Sequence, residues 1–178
     1  PEQSPSENEE VVILGGSEIG YHVARLLETQ GLTPRLIEGN PDRARELAEN
    51  LPGTLVMESD PADIQFLKSE HIGEADIVVC CLENDEKNLL EGLLAKRLGA
   101  ERTVVIIETT SYVELFETVG IDVGMSPRSV VAEEISQFTK AGKTENIAFI
   151  ETDKAEVIEV EITADSILAD RPIRDSIT

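Results

Sequence analysis

The residues best placed to do chemistry form a turn, Gly15-Gly16-Ser17-Glu18-Ile19-Gly20, between an apolar run and an amphipathic stretch. Glycines at this spacing suit a dinucleotide's phosphates for mechanical reasons. The first permits a tight bend, the middle one lets backbone approach a pyrophosphate, and the last lets the helix pack against the strand. Phosphate oxygens would then meet the unsatisfied amides and the positive dipole end of that helix. Gly15 and Gly20 match the outer positions, and Ser17 stands at the middle one. Its Cβ either pushes a pyrophosphate outward or its hydroxyl donates to a phosphate oxygen, and both readings stay open. A tight strand-to-helix turn also serves purely structural ends. Glu38 strengthens the binding reading: it ends a second apolar run, eighteen residues after Gly20. A carboxylate there accepts hydrogen bonds from ribose hydroxyls.

Other reactive groups are sparse. His22 and His71 are the only histidines and read as surface residues. Cys80 and Cys81 are adjacent, so in a strand they point to opposite faces and suit neither a disulfide nor one shared metal. Acid pairs such as Asp60/Asp63 and Asp85/Glu86 are expected by chance in a chain with 36 acids. No catalytic constellation or metal-ligand cluster emerges.

The elements that must hold the turn alternate regularly. Apolar runs at 11–14, 35–37, 55–57, 77–82, 103–107 and 121–124 predict strands. Helices are expected from Ile19 to Leu27, from Asn40-Pro41 through Ala48, over 64–67, over 85–98, over 112–119 and from Ser126-Pro127 to about 140. Leu89, Leu90, Leu93, Leu94 and Leu98 are expected to form one apolar face of the fourth helix. Six β-α units with near-continuous apolar strands predict an α/β fold, a Rossmann-like doubly wound parallel sheet of about six strands with helices on both sides. Residues 1–10 read as a disordered acidic linker and 11–142 as the nucleotide-binding domain. Residues 143–178, with strands at 147–150 and 157–162, read as the start of a small α+β lobe cut short. The missing initiator Met and the polar start suggest a piece of a longer polypeptide.

The net charge of −21 sets limits on partners. Such a surface repels phosphodiester backbones and anionic headgroups, so nucleic acid is not an expected partner. No apolar run is long enough for direct membrane insertion. The acids are spread along the chain, which fits either an ordinary acidic cytoplasmic protein or one adapted to concentrated salt. The latter would gain stability as salt rises.

The segments Gly15 to Gly20 and Leu36-Ile37-Glu38-Gly39-Asn40-Pro41-Asp42-Arg43-Ala44-Arg45-Glu46-Leu47-Ala48 resemble the TrkA-type RCK (KTN) regulatory subunits of Trk/Ktr potassium uptake systems. The stretches 58–63, 83–88, 94–100 and 120–127 look like the same family. The Gly-Gly turn looks more like the second of two tandem copies. The resemblance implies a regulatory module, not an enzyme, that binds NAD(H), or alternatively ATP or ADP, above strands one and four. It also implies a homodimer or larger ring at the cytoplasmic face of a membrane potassium-transporting subunit. By position, it implies that Gly15, Gly16, Ser17, Glu18, Ile19 and Gly20 form the phosphate turn and Glu38 the ribose carboxylate. Asp60 falls on the acidic position after strand three, and Leu82, Asn84 and Asn88 on the ligand-facing segment after strand four. Ser59, Glu108 and Thr109 depart from the family pattern, and a carboxylate at Glu108 near a phosphate would disfavour ATP. Two alternatives remain: an NAD-dependent oxidoreductase, and a degenerate copy kept for assembly.

Overall fold

In this computed structural model, residues 9–140, 146–150 and 155–159 are described. The chain divides into two compact units, with the division between Ser129 and Val130, within the last helix.

The first unit is built on six strands, β1 Val11–Leu14, β2 Arg35–Glu38, β3 Leu55–Glu58, β4 Ile77–Cys80, β5 Arg102–Ile106 and β6 Val123–Met125. All neighbouring pairs run parallel, in the order β3-β2-β1-β4-β5-β6. The central strands are covered on both faces, which is why Val11 to Leu14 are all buried. One face carries α1 (Glu18–Thr29) and α2 (Pro41–Asn50), whose Ala24, Leu47 and Leu51 join Ile13 and Leu36 in one core. The other carries α3 (Ile64–Ser69), α4 (Asp85–Leu98) and α5 (Val113–Thr118), packed over Val12, Val78, Val105 and Ile107. Order reverses between β1 and β4, and such a switch point opens a crevice beyond the carboxyl ends of the strands.

Helix starts follow the residues expected of caps. Asn40 accepts from the amides of Asp42 and Arg43 with Pro41 behind it, Asp63 caps α3, and Asn84 caps α4.

One expected face is different. The buried line of α4 is Asp85, Asn88, Glu91, Gly92 and Ala95. Leu90 is 61 % exposed, and Leu89, Leu93, Leu94 and Leu98 flank the core only partly buried. The cause is close approach. A Cβ on Gly92 would lie 2.7 Å from Ile121 Cδ1 and 2.8 Å from Val105 Cγ2, so the helix rides too near the sheet for leucines beneath it. The fourth strand also ends at Cys80; Cys81 N still donates to Leu14 O, and Cys81 and Leu82 line the crevice beyond it. The sixth begins at Val123, since Ile121 closes α5 by donating to Phe116 O.

The last helix, α6, spans Pro127–Lys140, and the second unit also contains β7 Asn146–Ile150 and β8 Ala155–Glu159, an antiparallel pair. The greater part of the expected linker at 1–10, the segment Gly142 to Glu145 and everything after Glu159 lie outside the described residues.

Candidate functional site

The turn after β1 needs each of its glycines for a different neighbour. Gly15 has φ +100°, and a Cβ there would lie 2.9 Å from the Cys81 carbonyl. At Gly16 a Cβ would meet Leu47 Cδ1 at 2.2 Å and Glu38 Oε2 at 2.9 Å. At Gly20 it would lie 2.2 Å from Gly15 O, which fixes how closely α1 leaves the strand. Ser17, with φ −58° and ψ 173°, needs no glycine: it is the N-cap of α1, and its Oγ accepts from Gly20 N at 3.3 Å. An oxygen that accepts in this way keeps its O–H to donate. The amides of Ser17, Glu18 and Ile19 precede the first intrahelical bond, from Tyr21 N to Ser17 O, so the helix offers donors at this end.

Glu38 closes the β2 side. Its Oε2 accepts from Gly16 N at 2.7 Å and its Oε1 from Asn40 N at 2.7 Å. Two backbone donors thus fix the carboxylate, leaving further lone pairs for a ligand hydroxyl. Arg43, on the first turn of α2, donates from Nε to Gly16 O at 2.8 Å. Its Nη1 meets Glu46 at 2.8 Å and its Nη2 meets Glu18 at 3.3 Å. The hydrogen bond that Arg43 donates to Glu46 raises the guanidinium pKa further, against burial, so Arg43 is a permanent cation.

Across the switch point the wall is formed by Cys81, Leu82, Glu83, Asn84 and Lys87. Asn88 lies behind them, 2 % exposed and fully bonded. Its Oδ1 accepts from Leu82 N at 2.7 Å, and its Nδ2 donates to Leu82 O at 2.9 Å and Ile106 O at 3.0 Å. Asp85 ties α4 to the segment after β5, accepting from Glu108 N at 2.7 Å and Thr109 N at 3.0 Å. Burial raises its pKa, but those amides outweigh it and hold the carboxyl below its ordinary value. Glu91 is the opposite case. It is 2 % exposed, its Oε2 has no hydrogen-bond partner, and burial, then the Asp60 carboxylate, push it up to about 7.

Together these segments enclose a crevice of about 710 Å³. Of the residues singled out from the sequence, Gly15, Gly16, Ser17, Glu18, Glu38, Leu82 and Asn84 line it. Ile19 packs into the α1 core and Gly20 lies beneath the turn. Asn88 does not face the crevice, because its amide is committed to Leu82 and Ile106. Asp60 is exposed off the wall, its Oδ1 accepting from Ala62 N at 2.9 Å. Glu108 is also elsewhere, with its carboxylate 3.7 Å from Arg128, so the objection to ATP drawn from it has no geometric basis. Asn40, Arg43, Glu83 and Lys87 were not anticipated as wall residues. Arg43 and Lys87 each stand three residues after an N-cap asparagine, a spacing that could have revealed them.

The cysteines are core residues on opposite faces, Cys80 towards α4 and Cys81 towards α1. Burial raises both thiols, Cys81 to about 12, so neither is a nucleophile at neutral pH. Among the described residues no group of three or more His, Cys, Asp or Glu side chains could hold a metal. Among them, too, no helix is long and apolar enough to cross a membrane. The residues present fit a dinucleotide: a glycine cradle that a Cβ would fill, helix amides, and a fixed carboxylate at ribose distance along the chain.

Comparison with known proteins identifies a family and a fold. The TrkA-N domain family matches residues 11–127. Trk system potassium uptake protein TrkA homolog 2 of Methanosarcina mazei is 34 % identical over 172 residues, 96 % of this chain and 38 % of its own. The TrkA homolog of Archaeoglobus fulgidus is 40 % identical over 147 residues, 83 % of this chain and 34 % of its own. The chain therefore spans well under half the length of these relatives. In fold it is similar to the NAD(P)-binding domain of an exopolyphosphatase-related protein from Archaeoglobus fulgidus. That match has a TM-score of 0.66 at 20 % identity and covers 75 % of this chain and 99 % of that one. It is likewise similar to the GsuK RCK domain, with a TM-score of 0.60 at 20 % identity, covering 82 % of this chain and 31 % of that one.

Proposed function

The chain belongs to the TrkA-N domain family, and on that footing we propose that it is the nucleotide-sensing module of a potassium uptake system. Its ligand is NAD(H) first, with ATP or ADP as the alternative, and it performs no turnover. The observation that carries this reading is Glu38, whose carboxylate is fixed by the amides of Gly16 and Asn40 on the wall of the phosphate crevice. A bound dinucleotide would place its pyrophosphate on the first amides of α1 and its adenosine ribose against Glu38. The module works at the cytoplasmic face of the membrane, as a homodimer or ring under the potassium-transporting subunit. Exposed Val130, Val131 and Ile135 on α6 supply an apolar stripe for such a partner. Nucleotide acts by favouring one arrangement of the assembly over another, through its differential affinity for the two.

Calorimetric titration with NAD+, NADH, ATP and ADP tests the reading directly. Glu38→Ala should weaken NAD(H) by about 1.5–3 kcal/mol, roughly ten- to hundredfold. Undiminished affinity in that variant would refute the assignment.

A further inference from the structure

Arg43 lines the crevice, and the nucleotide reading leaves it without a task. An arginine just after the ribose carboxylate is the group that accommodates a 2′-phosphate in dinucleotide sites, because its planar fork matches phosphate oxygens. Here each of its nitrogens has an acceptor. Nε is held by Gly16 O at 2.8 Å, Nη1 by Glu46 at 2.8 Å and Nη2 by Glu18 at 3.3 Å. A side cavity of about 210 Å³ opens on Arg43, Glu18 and Glu46, and the first two of these also line the main crevice. The guanidinium thus borders both spaces, with room beside it for a phosphate.

The two carboxylates that hold it are otherwise lightly engaged. Their side chains are 80 % and 60 % exposed, against 25 % for Arg43. Exposed ion pairs of this kind add little stability. Their electrostatic effect on a ligand is larger, since an incoming 2′-phosphate would meet Glu18, Glu38 and Glu46 around a single guanidinium already paired.

We propose that Arg43 is a latent 2′-phosphate site held closed by Glu18 and Glu46, and that this clamp, with Glu38, sets the choice of NAD(H) over NADP(H). The inference rests on the nucleotide reading given above. It assigns Glu18 and Glu46 a role in specificity that removal of Glu38 alone would not reveal.

The test is calorimetric titration of NAD+ and NADP+ at fixed salt into five proteins, each checked for folding by thermal melting. Wild type should bind NAD+ and bind NADP+ at least roughly tenfold more weakly. Glu38→Ser should lose NAD+ affinity and gain little for NADP+, because Arg43 remains paired. Adding Glu18→Gln and Glu46→Gln should raise NADP+ affinity roughly tenfold or more over Glu38→Ser, and Arg43→Ala in that background should remove the gain. A charge control carries Glu49→Gln and Glu101→Gln with Glu38→Ser, two exposed sites outside the crevice lining, and should show no such gain. No gain in the triple variant, or an equal gain in the control, overturns the clamp. Wild type that fails to bind NAD+ brings down the NAD(H) reading and this inference with it, an outcome distinct from a wild type that binds while its triple variant gains nothing.

Discussion

The two sides of the crevice are built on different principles. On the β1–β2 side the polar side chains that shape the wall are each tied to the protein: Glu38 by two amides, Arg43 by three acceptors, Ser17 by the helix it caps. On the β4–β5 side the wall residues Glu83, Asn84 and Lys87 are exposed, and the bonds that hold them lie one layer back, at Asn88 and Asp85. That layer also contains Glu91, a buried carboxyl with an unpaired oxygen. The first side is a finished mould for a rigid group. The second is a scaffold whose surface is free to adjust while its support is fixed.

The largest effect should come from breaking the mould. Gly20→Ala places a Cβ 2.2 Å from Gly15 O, backbone that cannot move without dragging β1. It should cost about 3 kcal/mol or more, seen as a lowered midpoint in denaturant titration. Gly31→Ala, with nothing within 4 Å and φ +84°, should cost only the strain of the left-handed conformation, about 1–2 kcal/mol. If the two variants melt alike, close packing is not what the turn requires.

Asn88→Ala attacks the support of the other side. It strands Leu82 N, Leu82 O and Ile106 O, and should destabilise by about 2–3 kcal/mol. Leu82 should also lose its fixed position, so nucleotide affinity falls although Asn88 never reaches the ligand. Lost stability with unchanged affinity would mean that this side of the crevice contributes nothing to binding.

How much of this was legible in the sequence follows the same division. The β1–β2 side could be read because its chemistry is local. A glycine turn leads straight into a helix, a carboxylate ends the next strand, and their spacing along the chain already implies their meeting. The parallel sheet was legible for a similar reason, since buried strands read as unbroken apolar runs. The β4–β5 side is assembled by contacts between elements. Asn88 looks like a polar residue one helical turn into a ligand-facing segment, and only the packing of α4 against Ile106 shows it facing inward. Asp85 looked like one acid among many until Glu108 and Thr109 were found on it. The leucines of α4 suggested a face that the close approach at Gly92 forbids. Arg43 was hidden because its place on the wall depends on the angle at which α2 leaves the Asn40 cap.

A smaller effect should sharpen the contrast through pH. Glu91 is pushed from an ordinary 4.5 to about 7 in the fold, with burial the main cause and the Asp60 carboxylate next; Lys87 pulls the other way. Between these values the folded state holds a proton that the unfolded state releases. Stability contributed by this group is therefore complete below about pH 4.5 and lost as pH rises to about 7. Glu91→Gln should remove that loss, worth at most about 3 kcal/mol across the window and less to the extent that solvent screens the group. The amide takes over a buried position whose Oε2 has no hydrogen-bond partner, so the slope of stability against pH is the quantity to compare, not its value at one pH. Equal slopes in the two proteins would mean that Glu91 is hydrated or paired in solution.

The smallest effect, and the one that separates support from surface most cleanly, belongs to Lys87. It occupies the first turn of α4, three residues after the Asn84 cap, which accepts from its amide at 3.0 Å. A cation at that end opposes the helix dipole by about 0.3–1 kcal/mol, and a glutamine there would favour the cap. Local helix chemistry therefore argues against lysine, yet Lys87 lines the crevice. In a chain of net charge −21, a lysine on the crevice wall would offset the repulsion that a bound phosphate meets there. Lys87→Gln should consequently move two quantities in opposite directions: stability up by a few tenths of a kcal/mol, nucleotide affinity down about threefold. The affinity loss should shrink as potassium chloride rises, because the interaction is exposed and screened. A variant that gains stability and keeps full affinity at low salt would show that the β4–β5 wall takes no part in holding phosphate, leaving the ligand to the β1–β2 side alone.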